Sequence, residues 1–417
     1  MSDFARIVRD RQFQRYFGMN LASQTAASVA NVAIVWYVFS VTSSTIDVTL
    51  VGAVESLAAV ATTLPAGVWI DRHNRRTLLV VSNAVRAASL AILAVVSASY
   101  GFSLVSVVAV ALVWSSISEL FRSTNFSILP ELVDPEKLPA ANGVNQAGSS
   151  LLGSASNAIG GALAGFAGAV VAFLYCTVGY AVALLLSVLV HTRSVVPARA
   201  TEAAKRKGFT EIREGFAWLV SQRGLFLLSV SAMAYNFFLG IFAYFLVVYA
   251  VSGLRAGAFV FGGLLALNVF GSAIGSLYAG RSRFLAGAGR AWVIAGLVSG
   301  PLILLIGVFP DPVVAAVSLL AVGVVFGFGN NLWLTAAHNL VPERMRGRYF
   351  AVDGLLSFVG GPPSIVVGGI LISLIGVLPV YSLVGALLFV TALGFATAKS
   401  LWRHDGRRPA VTGASSS

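Results

Sequence analysis

The chain has 417 residues, of which 57% are hydrophobic and only 11% charged, whereas soluble domains carry about a quarter charged residues. That excludes a water-facing globule, and a mean hydropathy of +0.86 points to lipid as the solvent. The net charge of +12 does not signal nucleic acid, because the basic residues lie between apolar runs and not on one soluble face, as topology signals do.

Apolar runs of bilayer length, about 20 residues each, predict twelve spans and an all-α integral membrane protein. Six run at 16–41, 46–70, 77–99, 101–128, 140–165 and 169–191, and six more at 225–251, 256–280, 291–309, 312–340, 349–374 and 377–400. The long first run reads as a span and not as a cleavable leader. The predicted organisation is an N-terminal six-helix bundle at 1–191, a linker at 192–224, a C-terminal six-helix bundle at 225–402 and a tail at 403–417. The linker opens polar and basic. It then carries Phe209, Ile212, Phe216 and Leu219 at helical spacing, which predicts a short amphipathic helix on the membrane interface.

One end of the predicted bundle collects Arg6, Arg9, Arg11, Arg15, Arg72, Arg75, Arg76 and Lys137, the basic residues of the linker, Arg281, Arg283, Arg290, Arg344, Arg346 and Arg348, and Lys399 with the basic residues of the tail. The other end has only Arg255. The positive-inside rule then places both termini and the linker in the cytoplasm, which requires an even number of spans. Arginine outnumbers lysine, and Ala, Val and Gly are abundant, a composition that suits a bacterial cytoplasmic membrane.

Four histidines, the single Cys176 and the lack of HExxH, GxSxG or GxxxxGK[ST] runs speak against an enzyme, an ATP-driven pump, a metal site or a cofactor. The halves repeat at an offset of 208 residues. Gly67 matches Gly275, Leu132-Val133 matches Leu340-Val341, Gly153 matches Gly361, and Gly160-Gly161 matches Gly368-Gly369. Small residues at Gly153, Gly160, Gly161, Gly368 and Gly369 suit close helix packing.

The loop Gly67-Val68-Trp69-Ile70-Asp71-Arg72-His73-Asn74-Arg75-Arg76 resembles the G-x-x-x-D-R-x-G-R-R signature of the major facilitator superfamily. Asn74 stands for the second glycine, as the residue most tolerant of a left-handed turn after glycine. Gly67 would let two helices approach closely, and Asp71 would cap a neighbouring helix N-terminus. The second half keeps a worn copy, Gly275 to Arg283, with Ala279 where Asp71 aligns. The stretch Phe121 to Val133, with Pro130-Glu131, followed by Ala141-Asn142, is similar to the macrolide-efflux and enterobactin-exporter branch of drug:proton antiporters. Antiporters of the superfamily often carry Gly-Pro-x-x-Gly-Gly in span 5; here Ser156-Asn157-Ala158-Ile159-Gly160-Gly161 keeps the double glycine without the Gly-Pro pair.

The resemblance implies two pseudo-symmetric six-helix bundles that rock around a midplane site. It also implies a cavity lined by spans 1, 4, 7 and 10, with Gln24, Asn31, Trp114, Tyr235, Asn236, Asn330, Asn331 and Trp333 as candidate wall residues. This aromatic, uncharged set suits a bulky, largely apolar solute. Intramembrane charges are costly and usually functional. Glu55 and Arg86 are each about 13 Å deep from opposite faces at 1.5 Å per residue. They are expected to form a pair, with either a structural role or a proton-coupling role for Glu55. Gly67, Asp71, Arg72, Arg75, Arg76, Glu119, Arg122 and Asp353 are the candidate conformational lock, a charge cluster at the cytoplasmic end. His338 reads as an interfacial hydrogen-bonder.

The function expected is proton-coupled export of a small amphipathic compound by a monomer in the lipid bilayer. Drugs, macrolide-like metabolites and siderophores are the candidate solutes, with protons as coupling ion. The alternatives are nutrient uptake and a non-transporting sensor. A reporter active only in the cytoplasm, fused after Arg206 or at the C-terminus, is expected to be active. Activity of a periplasmic reporter at either place would refute the topology.

Overall fold

In a computed structural model of the chain, residues 10–190, 213–281 and 288–398 are described. Among them the chain is helical throughout. The first half comprises α1 (Arg11–Thr42), α2 (Thr45–Arg72), α3 (Arg75–Tyr100), α4 (Leu104–Leu132), α5 (Leu138–Ala162, extended by a π turn over Leu163–Ala167) and α6 (Ala169–Leu189). The second comprises α7 (Arg223–Tyr244, extended through Leu246–Val248 and a π turn over Tyr249–Gly253), α8 (Ala258–Arg281), α9 (Ala288–Val308) and α10 (Pro312–Leu340), then α11, in two pieces (Glu343–Val359 and Gly361–Ile375), and α12 (Val377–Ala396).

Eleven of these are long and apolar enough to cross a membrane. The twelfth, α5, is apolar only over Leu151–Ala167. Its first turns carry Asn142, Asn145 and Ser149, which face a cavity and not lipid. This twelve-helix arrangement matches the expected fold class. Large apolar side chains such as Val95, Leu185 and Val390 stand exposed on the outside, as lipid-facing residues do.

Local chemistry sets the helix boundaries. The Asp10 carboxylate accepts from the backbone N–H groups of Gln12 and Phe13 and starts α1. Asn74 accepts from the Arg76 N–H at 2.9 Å and starts α3. With φ −63° and ψ 124°, it is an N-cap and not the left-handed turn expected from its place in the signature loop. A cap of this kind stabilises a helix by about 1 kcal/mol. Gly168 (φ 87°) and Gly376 (φ 84°), at the α5–α6 and α11–α12 turns, stand at the same 208-residue offset as the sequence repeat, where only glycine avoids strain.

The double glycines show how the halves meet. A side chain on Gly160 would meet the Val29 backbone of α1, and one on Gly368 would meet Ile241 and Phe245 of α7; both contacts lie within one half. A side chain on Gly161 would collide with the Ala258 carbonyl and Gly262 of α8, and one on Gly369 with Thr49 of α2. Those contacts cross between halves. Adjacent helical residues point about 100° apart, so one glycine of each pair serves the half's own core and the other serves the seam. The seams are α5 against α8 and α2 against α11.

Gly153 and Gly67 have open space where a side chain would go, so neither mediates the close approach expected of it. The tightest pair in the second half is α8 with α10. There Gly271 and Gly275 approach Leu320 and Val324, while Gly323 and Gly327 approach Asn268 and Ser272, a small-xxx-small motif on each helix.

The named seam contacts gather at the end opposite the described chain termini, here called the far end. Tyr244 lies against Gly52 and donates to the Val48 carbonyl at 3.4 Å. Phe166 and Phe259 pack at 6.0 Å between ring centroids. Within the linker, Phe209 and Ile212 lie outside the described residues. Residues 213–221 are helical, but they dock on protein as well as facing outward. Trp218 packs edge-on against Tyr349, Glu214 pairs with Arg348 at 2.7 Å, Leu219 is buried, and Phe216 stays exposed.

Gly161→Val should therefore open the far end, because overpacking a tight contact costs about 1–3 kcal/mol. A cysteine replacing the buried Val48 reports on the other seam. Its labelling by an impermeant maleimide should rise several-fold in the Gly161→Val background, and unchanged labelling would refute the two-seam hinge.

Candidate functional site

A cavity of about 760 Å³ opens into the first half, toward the end that carries the termini. Its wall follows from helical periodicity. On α1, Asn20, Gln24, Ala27 and Asn31 recur every three to four residues and form one stripe. On α4, Ser115, Ser118, Glu119, Arg122, Asn125 and Phe126 form another. Gln24 and Asn31 are exposed in the middle of an apolar span because this stripe faces the cavity. Asn142, Asn145 and Ser149 of α5 close the third side.

The candidates divide by half. Gln24, Asn31 and Trp114 line the cavity, and Trp114 donates its indole N–H to the Tyr180 hydroxyl at 3.0 Å. The second-half candidates are not among its lining residues. Tyr235 is fully buried inside its own half, stacked on Trp292 at 5.7 Å and edge-on to Phe326 and Phe395. Trp333 packs against the main core. Asn236 and Asn331 are half-buried and Asn330 is exposed. The wall is also more polar than expected. By count, amides and hydroxyls outnumber apolar groups along it, and most of them bond to other protein groups.

Sequence reasoning missed Asn20, Asn125, Asn145 and Ser149. Asn125 donates to Asn20 at 3.0 Å, and Asn20 donates to Asn145 at 2.8 Å and to Ser149 at 3.2 Å. This chain of amides ties α4, α1 and α5 together at the cavity mouth. The signal was present, since Asn20 precedes Gln24 by one turn and belongs to the same stripe.

Arg86 lies at the base of the cavity, 1% exposed. Its guanidinium carbon lies 3.9 Å from the ring centre of Phe121 and 4.6 Å from that of Tyr180. Cation–π contacts of this desolvated kind contribute about 2 kcal/mol. The guanidinium donates to Ser23 Oγ at 2.9 Å, to Asn83 Oδ1 at 2.7 Å and to the Ser82 carbonyl at 3.3 Å. Asn83 is held in place by its own bond to Ser187, at 2.8 Å.

Glu55 is not among the partners of Arg86, which corrects the expected pair. The reason is direction. Arg86 on α3 turns inward to α1, α4 and α6, whereas Glu55 on α2 turns across the seam to the Tyr244 hydroxyl of α7. Glu55 Oε1 is shielded from solvent with no hydrogen-bond partner. The Glu55 backbone carbonyl accepts from the cavity residue Ser115 at 2.6 Å, so the carboxyl sits just beyond the cavity's inner end.

The candidate lock residues form separate contacts and not one cluster. Arg75 of α3 pairs with Glu131 at the end of α4 and donates to the Ser127 carbonyl at 2.8 Å. Arg76 donates to the Val188 carbonyl at the end of α6, and Arg72 is exposed. Glu119 accepts from Arg122 one turn on, at 2.6 and 2.9 Å, and from Thr63 of α2 at 3.3 Å. Asp353 is buried in the other half and accepts from Ser229 at 2.6 Å. The side chains of Asp71 and His338 lie outside the described set. Each of these contacts among the described residues lies within one half.

Comparison with known proteins follows from this geometry. The family model described as Major Facilitator Superfamily matches residues 16–365. No curated protein sequence matches the chain. Among solved structures, the chain is similar to a bacterial homologue of the human lysosomal transporter Spinster, in an inward-facing and unoccupied conformation. That match has 16% identity and a TM-score of 0.72, over 98% of this chain and 99% of that one. It is also similar to the nucleoside transporter NupG (13% identity, TM-score 0.72, 93% and 99% coverage). A third is a bacterial homologue of the iron transporter ferroportin in an inward-facing state (15% identity, TM-score 0.70, 93% and 99% coverage).

Proposed function

The chain belongs to the major facilitator superfamily and is a transporter, not an enzyme; from that premise we propose that it exports a small amphipathic compound in exchange for protons, by alternating access. The observation that supports this most is the pairing of a deep cavity at the termini end with seams joined at the far end. With the termini cytoplasmic by the positive-inside rule, this is the state that loads solute from inside the cell. Rocking the two halves about the seam glycines would part the far end and deliver the solute outward.

Arg72, Arg75, Arg76 and Asp71 are proposed to close the cytoplasmic end in that second state, with Glu119, Arg122 and Asp353 near the same opening. In the state seen, Arg75 and Arg76 are tied to the ends of α4 and α6, which holds the loop ready on its own half.

Glu55 is the proposed coupling group. Its carboxyl lies at the α2–α7 contact, where opening the far end would admit water. A carboxyl without a cation at such a place bears charge only at a cost of several kcal/mol. Taking a proton from outside and giving it up inside would then return the transporter to its loading state.

Uptake would use the same cavity and hinge, with the proton and solute moving together. Glu55→Gln in proteoliposomes is expected to abolish uphill, proton-driven export and to leave solute counterflow intact. Uphill export at the unsubstituted rate would refute the coupling role. Proton-driven accumulation in the opposite direction would replace export by uptake.

A further inference from the structure

Arg86 is a buried cation whose hydrogen-bond and ring partners among the described residues are all neutral. The charged side chains that line the cavity are Arg86, Arg122 and Glu119. Glu119 is committed to Arg122 through both carboxylate oxygens. Elsewhere in the same half, Glu131 is committed to Arg75, and Glu55 faces Tyr244 across the seam. No carboxylate among the described residues forms a salt bridge with Arg86, and the lining carries one net positive charge.

A cation in the middle of a membrane protein is costly and is normally neutralised by a partner. Here the two rings and the neutral acceptors, the Tyr180 hydroxyl among them, hold the guanidinium in place without cancelling its charge. The Ser187–Asn83–Arg86 chain of bonds fixes its orientation. A guanidinium offers five N–H donors. Its bonds run to Ser82, Ser23, Asn83 and the Tyr180 hydroxyl, and none of these acceptors is a carboxylate.

We propose that the missing counter-charge arrives with the solute, and that the exported compound bears a carboxylate or an equivalent acidic oxygen group, which Arg86 recognises. This deepens the transport reading and rests on it. Gln24, Asn31, Asn125 and Asn142 on the cavity wall would bind hydroxyl or amide groups on the same molecule, and Trp114 and Phe121 would bind an apolar ring. Such a solute is amphipathic, anionic and rich in hydrogen-bonding groups. A cationic amphiphile would meet the unbalanced charge as a barrier.

The full chain, purified in detergent, is titrated with three size-matched probes: 1-naphthoic acid, its methyl ester and 1-naphthylmethylamine. Tryptophan quenching is the readout. The acid is expected to bind at least tenfold more tightly than the ester, and the amine more weakly than either. Arg86→Gln should reduce the acid–ester ratio to within twofold while keeping the ester's affinity, and Arg86→Lys should restore part of the preference. Equal binding of acid and ester, preference for the amine, or a tenfold acid preference that survives Arg86→Gln would each overturn the proposal. So would failure of all three probes to bind. The unsubstituted comparison of acid, ester and amine decides the matter even if Arg86→Gln does not fold. Counterflow of the same probes separates the two readings. Exchange of the ester or amine but not the acid overturns only the anionic solute, whereas binding without exchange of any probe overturns transport.

Discussion

Two helices reach backbone contact only where a side chain is missing between them. In this chain that condition is met at one seam, Gly161 with Gly262, and at the other Gly369 makes room for the Thr49 side chain. The other functional features depend on those contacts. They join the halves at one end, so the halves can part at the other and leave the cavity open. They also bring Glu55 and Tyr244, from different halves, to one place. Lipid gives no hydrophobic drive for helices to associate, so shape and close packing decide which helices stay together and which can separate.

Within each half the contacts differ in kind. The α8–α10 pair is locked by glycines along both helices, and Arg86, Phe121, Tyr180 and Trp114 knit α3, α4 and α6 around a charge. These are dense contacts, each within one half. The halves, by contrast, are joined through two helix pairs, α5 with α8 and α2 with α11.

The fold was legible in the sequence because lipid imposes a simple code. Long apolar runs, basic ends and the 208-residue repeat are one-dimensional signals, and each has a direct three-dimensional counterpart. The first-half cavity residues Gln24, Asn31 and Trp114 were legible for the same reason, as polar or amphipathic side chains inside apolar helices. Rotation about the helix axis was harder to read. Glu55 and Arg86 share a depth, but α2 turns one across the seam while α3 turns the other into the bundle. Tyr235 lies on a helix expected to line the cavity, yet its face packs on Trp292. Asn74 filled a glycine's place in the signature loop for a different reason, as a helix cap. Depth follows from counting residues, whereas facing depends on neighbours that no single segment encodes.

The one-sided wall of the cavity also bears on how such a chain can diverge. Every lining residue belongs to the first half, while the second half supplies Gly262, Gly369 and Tyr244 at the seams. The described cavity wall thus comes from one half, whereas the seams draw on both, since Gly161 and Thr49 belong to the first. Changes along the α1 and α4 stripes can alter what is carried without disturbing the hinge. Recombination between relatives at the linker would pass a complete set of wall residues to the progeny, joined to a hinge partner of different ancestry.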